Sequence, residues 1–270
     1  MEKIKTGRNL PNAILVGLVL IGLVAITLFI NKYAFTFLAL AAVLLAGYEV
    51  TTQLNKAKKL DLSIFINLVL ISIFILFSVF FELSGLTYAF ILSIIIILIY
   101  SYSQEKFRQT FLFSITTVLY LGVFGALVML MLNKPDGAER IFIFIALTAV
   151  SDTGGYFTGI LFGKHKLAPK ISPKKSYEGL LGSVLLSVVI SILVTPLFLD
   201  LNITESIILG LALSLTGTAG DLFESFVKRN LNIKDFSSIL PGHGGMADRI
   251  DSLAFNSLFS FLLFGIFLGF

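Results

Sequence analysis

The stretch AILVGLVLIGLVAITLFI, residues 13–30, decides the fold class because it contains no charged side chain. A helix needs about 20 mostly apolar residues to cross the hydrocarbon core of a bilayer. Three basic residues, Lys3, Lys5 and Arg8, precede this run. Because the run is long and lacks a small-residue cleavage site, we expect an uncleaved first membrane span rather than a signal peptide.

The whole chain has the same apolar character. Hydrophobic residues make up 57% and charged residues 13% of it, against roughly 45–50% and about 25% in soluble domains. The mean hydropathy is +0.97. The chain has no cysteine, which excludes disulfides and thiolate chemistry, and two histidines alone do not favour a zinc site. We therefore predict an all-α polytopic integral membrane protein.

Nine apolar stretches, each bounded by polar or turn residues, are long enough to be membrane helices. They cover residues 13–30, 34–52, 62–81, 86–101, 110–132, 141–162, 180–199, 203–220 and 252–270. We divide the chain into an N-terminal transmembrane scaffold, residues 1–135, with five spans, and a C-terminal catalytic half, residues 136–270, with four.

The positive charges predict the orientation of these spans, because short cytoplasmic loops retain lysine and arginine. With the N-terminus inside, seventeen of the twenty Lys and Arg residues fall on the inner side. Only Lys32, Lys134 and Arg140 fall on the outer side. We predict nine transmembrane helices with the N-terminus inside, the C-terminus outside, and two long inner loops at residues 163–179 and 221–249.

Span six contains SDTGGYFTG, residues 151–159, which places Asp152 near the bilayer midplane. A carboxylate there costs several kcal/mol unless it is paired, metal-bound or in a polar cavity. Close helix packing explains Gly154 and Gly155 but not the aspartate, so we predict a functional role for Asp152. For Glu49 in span two, a functional role and an interfacial position both remain open.

The first inner loop, GKHKLAPKISPKKSYEG, contains five lysines. The positive-inside rule or attraction to anionic lipid headgroups also accounts for such a charge. However, Ser172 followed by Pro173 predicts the N-cap and first residue of a helix. A helix start beside Lys174 and Lys175 favours a phosphate-binding site.

The second inner loop carries a denser set of polar residues. Asp221, then Glu224 or Ser225, and then Lys228 follow at i, i+3 or i+4, and i+7, so they share one helix face. The stretch LPGHGGMADRID, residues 240–251, then combines glycines that let the backbone approach an anion with Asp248 and Asp251 at i, i+3. Carboxylates beside basic residues suit a Mg²⁺–polyphosphate complex, whereas a capped helix entry explains only one aspartate and one glycine.

These motifs resemble the phosphatidate cytidylyltransferases, or CDP-diacylglycerol synthases. The resemblance lies in SFVKR (225–229), KD (234–235), PGHGG (241–245) and DRIDS (248–252). The Asp152 block and SPKKSYEG (172–179) resemble two further blocks of that family. The match covers the second half of the chain, and the first half matches only as a hydrophobic scaffold.

The resemblance implies a phospholipid-biosynthesis enzyme that transfers CMP from CTP to phosphatidic acid, giving CDP-diacylglycerol and pyrophosphate. It implies Mg²⁺ as cofactor, with a second metal ion left open. The metal ligands would be Asp221, Asp248, Asp251 and, less directly, Asp152. The remaining catalytic and substrate-binding residues would be Lys228, Arg249, His243, Lys174, Lys175, Ser176, Glu178, Ser225, Arg229, Lys234, Asp235, Gly242, Gly244 and Gly245. For His243, proton transfer and support of the glycine turn are both open.

The expected partners are CTP, phosphatidic acid and the lipid bilayer, with no nucleic acid. A homodimer is a family-level expectation. We expect the protein in a prokaryotic cytoplasmic membrane with its active site facing the cytoplasm. The alternative is a secondary transporter, but transporters usually show internal repeats with ligands near the midplane, whereas here the ionisable clusters crowd two inner loops.

Overall fold

The computed structural model describes residues 10–240 and 244–269, with side chains from residue 19 onward except that of residue 29. Within these residues, eight helices and one two-stranded sheet follow one another along the chain. The helices are α1 (Leu10–Ile30), α2 (Lys32–Lys58), α3 (Ile64–Tyr102), α4 (Phe107–Leu132), α5 (Gly137–Phe162), α6 (Tyr177–Phe198), α7 (Ile203–Asn230) and α8 (Ala247–Leu268). The strands β1 (Lys166–Ala168) and β2 (Ser172–Ser176) lie between α5 and α6.

Seven helices of the described chain, α2 to α8, are long and apolar enough to cross a membrane. The predicted class, an all-α polytopic membrane protein, is therefore confirmed. The two predicted spans 62–81 and 86–101 form one helix, α3, of 39 residues, interrupted by a single non-helical residue, Glu82, at φ 51° and ψ −133°. Such a length is about twice what one crossing needs. The count of nine spans and the orientation of the termini remain predictions.

Helix α4 forms the centre of the bundle. It packs against α2, α3, α5 and α8, and its apolar segment is the most buried of the seven. The second half of the chain wraps around it as a series of neighbours in which α5 contacts α6, α6 contacts α7 and α7 contacts α8. This arrangement brings α5, α7 and α8 together, which are the helices that carry the acidic residues singled out in the sequence.

Small residues let α5 and α6 approach closely, as the packing interpretation of the glycines predicts. A Cβ added at Gly154 would lie 2.8 Å from the carbonyl oxygen of Gly182, and one at Gly155 would meet the Ser183 hydroxyl. The Ser183 hydroxyl donates to the Ser151 carbonyl at 2.8 Å. Asp152 makes none of these contacts, and the residue is exposed.

The predicted helix start at Ser172 and Pro173 is wrong. Both residues belong to β2, which pairs antiparallel with β1, and α6 begins later, at Tyr177, with Ser176 as its N-cap. The physical reason is tertiary: β2 pairs with β1, and Lys175 of β2 contacts Asp221 of α7, so the segment stays extended as far as Ser176. The first inner loop is therefore a β-hairpin that leads into α6.

Candidate active site

The β-hairpin is fastened to α7 by one lysine. Lys175 Nζ lies 2.8 Å from Oδ2 of Asp221 and donates to the carbonyl oxygen of Thr218 at 3.3 Å. The Ser225 hydroxyl donates to the other oxygen of Asp221 at 3.3 Å. Asp221 is thus half-buried where the hairpin and α7, which are more than forty residues apart in sequence, come into contact.

Three carboxylates come from three different helices. Asp152 on α5, Asp221 on α7 and Asp251 on α8 lie close enough for their charges to interact. We call these residues the carboxylate cluster. Lys175 and Arg249 also interact electrostatically with Asp152. Because like charges repel in a low-dielectric setting, the cluster is favourable only with cations around it.

A polar contact deeper in the bundle holds the three helices of the cluster together. Asn256 on α8 is fully buried. Its Nδ2 donates to the Thr148 hydroxyl of α5 at 2.9 Å, and its Oδ1 accepts from the Thr216 hydroxyl of α7 at 2.5 Å. Each of these residues lies four or five positions from a member of the carboxylate cluster, so this contact fixes the spacing of the three helices close to the site.

A second charged group lies beside the cluster. Lys228 Nζ lies 2.6 Å from Glu224 Oε1 and 2.7 Å from Asp248 Oδ1. The three side chains, here called the Lys228 triad, are only 12%, 6% and 2% exposed in the order lysine, glutamate, aspartate. Glu224 also interacts electrostatically with Asp251, which links the triad to the carboxylate cluster.

Asp248 uses both of its oxygens within the protein. Besides Lys228 on Oδ1, its Oδ2 accepts from the backbone N–H groups of Phe236 at 2.9 Å and Gly245 at 2.8 Å. These contacts organise the connecting segment, residues 231–246, between α7 and α8. As a metal ligand, Asp248 would have to offer a remaining lone pair of Oδ1 or exchange its lysine for the ion.

The cap of α8 comes from the N-terminal half of the chain. Glu49 on α2 is 2% exposed. It accepts hydrogen bonds from the Ser237 hydroxyl at 2.6 Å and from the backbone N–H groups of Met246 at 3.1 Å and Ala247 at 2.9 Å. The Glu49 side chain is therefore enclosed by protein and does not extend to the surface.

An apolar cavity of about 140 Å³ lies beneath the Lys228 triad. Glu224 is part of its lining. The rest comes mainly from apolar side chains of α2, α4, α7 and α8, together with Phe236 of the connecting segment. This lining limits water beneath the triad and so strengthens the electrostatic interactions above it.

Other predicted phosphate-binding residues surround the cluster. Arg249 is half-buried on α8, and its Nε has no hydrogen-bond partner among the residues that the structure describes. Lys174, Lys234 and Arg229 are exposed, and Arg229 Nε donates to the Ile171 carbonyl of the hairpin at 3.3 Å. The exposed side chains of Lys174 and Lys234 are therefore accessible to an incoming anion, whereas Arg229 is already tied to the hairpin.

Two predicted substrate-binding residues serve the hairpin and α6. The Ser176 hydroxyl is buried and accepts from the Gly179 N–H at 3.1 Å. Glu178 accepts from the N–H groups of Lys164 at 3.1 Å and His165 at 3.2 Å, and its carboxylate lies 2.6 Å from His165 Nδ1. These contacts hold the turn from α5 into β1, so neither side chain needs a substrate to satisfy its polar atoms.

The glycine-rich turn is only partly described. Gly242 and His243 lie outside the described residues, so the structure does not bear on their predicted roles. Gly244 has φ +85°, a conformation that favours glycine, and its carbonyl accepts from the Leu240 N–H at 2.9 Å. Because the Gly245 N–H already donates to Asp248, it is not offered to a phosphate in this conformation. Asp235 lies beside Gly244, with Oδ1 3.3 Å from where a Cβ would be.

The donor set fits a hard divalent cation. No three His, Cys, Asp or Glu side chains within residues 10–240 and 244–269 are arranged closely enough to form a complete metal site. Mg²⁺ does not need one, because it usually keeps several waters and binds through one or two carboxylates together with substrate phosphates. The carboxylate cluster supplies such oxygens, and the basic residues beside it can neutralise phosphate charge.

Sequence reasoning missed Asn256, which organises this site, and left Glu224 as an alternative to Ser225 without naming its partner. Glu224 stands at i, i+4 from Lys228, a spacing that predicts an ion pair on a helix. Asn256 is an amide within an apolar run, where an unpaired polar group is costly, and that signal alone predicts a buried partner.

Comparison with known proteins identifies the family. Residues 11–267 match the model of the cytidylyltransferase family. A phosphatidate cytidylyltransferase of Mycobacterium leprae is 32% identical over 268 residues, which cover 92% of this chain and 85% of that protein. Phosphatidate cytidylyltransferases of Haemophilus influenzae and Staphylococcus aureus are 43% and 38% identical over 118 and 145 residues, or 42% and 53% of this chain and 41% and 55% of theirs. The chain therefore belongs to the cytidylyltransferase family.

Proposed function

We propose that this protein transfers CMP from CTP to phosphatidic acid, producing CDP-diacylglycerol and pyrophosphate. The observation that carries the proposal is the carboxylate cluster, in which acidic side chains of α5, α7 and α8 lie close enough to interact beside Lys175, Lys228 and Arg249. The family match and the names of the similar bacterial proteins support the same reaction.

The reaction needs alignment more than proton transfer. The second proton of a phosphomonoester leaves near pH 6, at about pKa 6, so the phosphatidate oxygen is already anionic at neutral pH. This oxygen attacks the α-phosphorus of CTP, forming a new P–O bond while the bond to the β-phosphate breaks and pyrophosphate leaves. The protein contributes by holding the two phosphates in line and by placing positive charge where the leaving group gains negative charge.

We assign Asp221 and Asp251 as the principal Mg²⁺ ligands, with Asp152 as a neighbour and Asp248 as a ligand through Oδ1. When bound, Mg²⁺ would screen the phosphate charges of the nucleotide. Lys175 is held at Asp221, and Lys228 at Asp248, so both ammonium groups already stand beside the carboxylates. Arg249, with an unpaired Nε, contacts the leaving pyrophosphate in this proposal.

The proposed orientation of the site in the membrane is based on the distribution of lysine and arginine residues. We place the hairpin and the connecting segment on the cytoplasmic side, where CTP is available, and the lipid enters sideways from the bilayer. The two parts of α3 on either side of Glu82 are counted as separate crossings, which gives nine spans with the N-terminus inside. The protein belongs, in this proposal, to a bacterial cytoplasmic membrane and acts there as a homodimer.

Single cysteines test the orientation without background, because the natural chain has none. Lys170 in the hairpin and Thr204 at the start of α7 are exposed near opposite ends of α6. In intact cells, a membrane-impermeant thiol reagent should label Thr204→Cys and not Lys170→Cys, and both should react after the membrane is opened. The reverse pattern would place the site on the outer face.

The reaction itself is tested with purified protein, labelled CTP, phosphatidic acid and Mg²⁺. We expect label in a lipid product, release of one pyrophosphate per product, and much weaker transfer from ATP, GTP and UTP. A folded protein that binds these substrates but forms no labelled lipid contradicts the proposed function, and the secondary transporter would then be tested by flux into vesicles.

A further inference from the structure

Glu49 is a buried carboxylate whose hydrogen bonds within the described residues all come from one part of the chain. The three donors are Ser237, Met246 and Ala247, and all belong to the connecting segment or the first residue of α8. A buried carboxylate is costly without such partners, so its contacts hold α2 and this segment together. Glu49 is therefore tied to the segment that leads into the site, although it lies in the half of the chain predicted to be only a scaffold.

Helix α8 has no cap of its own. Its N-cap residue, Met246, makes no side-chain cap hydrogen bond. The first N–H groups of a helix need acceptors, and a negative charge near them is favourable. Glu49 supplies both from a different helix, so the position of the start of α8 depends on α2.

The next residues of α8 are those proposed to act on the substrates. Asp248 is the second residue of the helix, Arg249 follows it, and Asp251 is the fifth. A shift of the helix start would move all three relative to Asp221 and Asp152, which other helices carry. A displacement of about 1 Å can reduce an enzymatic rate by about 100-fold.

Two further contacts support this role. Gln53, one turn after Glu49, donates to the Phe236 carbonyl at 2.6 Å, so α2 holds the connecting segment at a second point. A Cβ at Gly245 would lie 2.5 Å from Glu49 Oε2, which means that the glycine leaves room for the carboxylate. The small residue at position 245 is thus needed because of a side chain almost two hundred positions earlier in the chain.

We propose that Glu49 is a positioning residue for the transfer reaction, which sets the start of α8 and with it the placement of Asp248, Arg249 and Asp251. The expected effect of Glu49 on the reaction rate rests on the proposed function. Its structural part, the capping of α8 by α2, can be measured separately.

The test compares Glu49→Gln with Glu205→Gln. Glu205 is also a carboxylate that caps a helix, because it accepts a hydrogen bond from the Asn202 N–H at 2.9 Å. That helix start belongs to α7 and lies far from the carboxylate cluster. The Glu49→Gln substitution replaces one acceptor oxygen of the carboxylate with an NH2 group. We expect kcat to fall by about 10- to 100-fold, with little change in the KM for the lipid. Glu205→Gln should retain the wild-type kcat.

Hydrogen–deuterium exchange provides the readout that does not depend on activity. We expect faster amide exchange in peptides covering residues 244–250 of Glu49→Gln, with α5 and α6 protected as in the wild type. A wild-type kcat in Glu49→Gln, or faster exchange throughout the bundle in proportion to the lost activity, overturns the proposal. If Glu49→Gln does not fold, Ser237→Ala carries the test, because it removes one donor and leaves the carboxylate in place. A wild-type kcat and wild-type exchange at residues 244–250 in Ser237→Ala would then overturn it.

The two proposals fail in different ways. If the wild-type protein makes no labelled lipid, the proposed function fails, and the exchange measurement still tests the cap. If the wild-type protein is active and Glu49→Gln matches it in both measurements, only the positioning role fails.

Discussion

Lys228 Nζ lies 2.7 Å from Oδ1 of Asp248, and the two side chains join α7 to α8 at a nearly dry position. Because the same ammonium also pairs with Glu224, its removal would leave two buried carboxylates facing each other. This relationship makes Lys228 important for stability as well as for the proposed phosphate contact.

We predict that Lys228→Met destabilises the protein by about 3–5 kcal/mol, the range for removing one partner of a buried ion pair. Thermal unfolding in detergent measures this effect. Adding Glu224→Gln to Lys228→Met removes one of the two stranded charges, so the double variant should regain part of the lost stability but none of the transferase activity. An unchanged melting temperature in Lys228→Met would show that the triad is not a buried ion pair in solution.

We predict that Asn256→Leu raises the Mg²⁺ concentration needed for half-maximal activity, because the leucine cannot bond to Thr148 and Thr216 and the three helices of the carboxylate cluster lose their common anchor. The matched control is Ser257→Ala, since the Ser257 hydroxyl donates only to the Ala254 carbonyl within its own helix. The assay is product formation during a Mg²⁺ titration. Equal Mg²⁺ requirements in the two variants would separate Asn256 from the site.

We predict that Gly245→Ala reduces both stability and activity, because its Cβ would lie 2.5 Å from Glu49 Oε2. Overpacking of this kind costs about 1–3 kcal/mol. Gly22→Ala is the control, since nothing lies within 4 Å of a Cβ at that position. Combining Gly245→Ala with Glu49→Asp shortens the carboxylate and should reduce the loss of stability. Thermal unfolding of the three variants compares them, and a Gly245→Ala protein as stable as Gly22→Ala would contradict the close contact.

The membrane class and the helices were predictable because apolar runs of sufficient length have few alternatives. The sequence also identified the acidic and basic residues of the two inner loops, because charged groups stand out in an apolar chain. The pairing of these residues was not predictable. Two examples are the hydrogen bond from the Phe236 N–H to Asp248 and the contact between Lys175 and Asp221. Both depend on how distant segments pack.

The hairpin shows where local reasoning failed. Ser172 and Pro173 carry a good helix-start signal, but pairing with β1 and the contact of Lys175 with α7 favour a strand there. Glu49 shows a second limit of local reasoning. A carboxylate within an apolar span left a functional role and an interfacial position open, because its partners lie almost two hundred residues away and no short pattern contains them.

The central claim is that the carboxylates of α5, α7 and α8 form one divalent-cation site for transfer of CMP. The most direct test is the Mg²⁺ dependence of labelled lipid formation in the wild type, Asp221→Asn and Asp251→Asn, with Glu205→Gln as the control carboxylate. We predict no product in the presence of a chelator, and a higher Mg²⁺ requirement together with a lower maximal rate in both aspartate variants. Product formation without divalent cations, or a wild-type Mg²⁺ requirement in both aspartate variants, would contradict the claim.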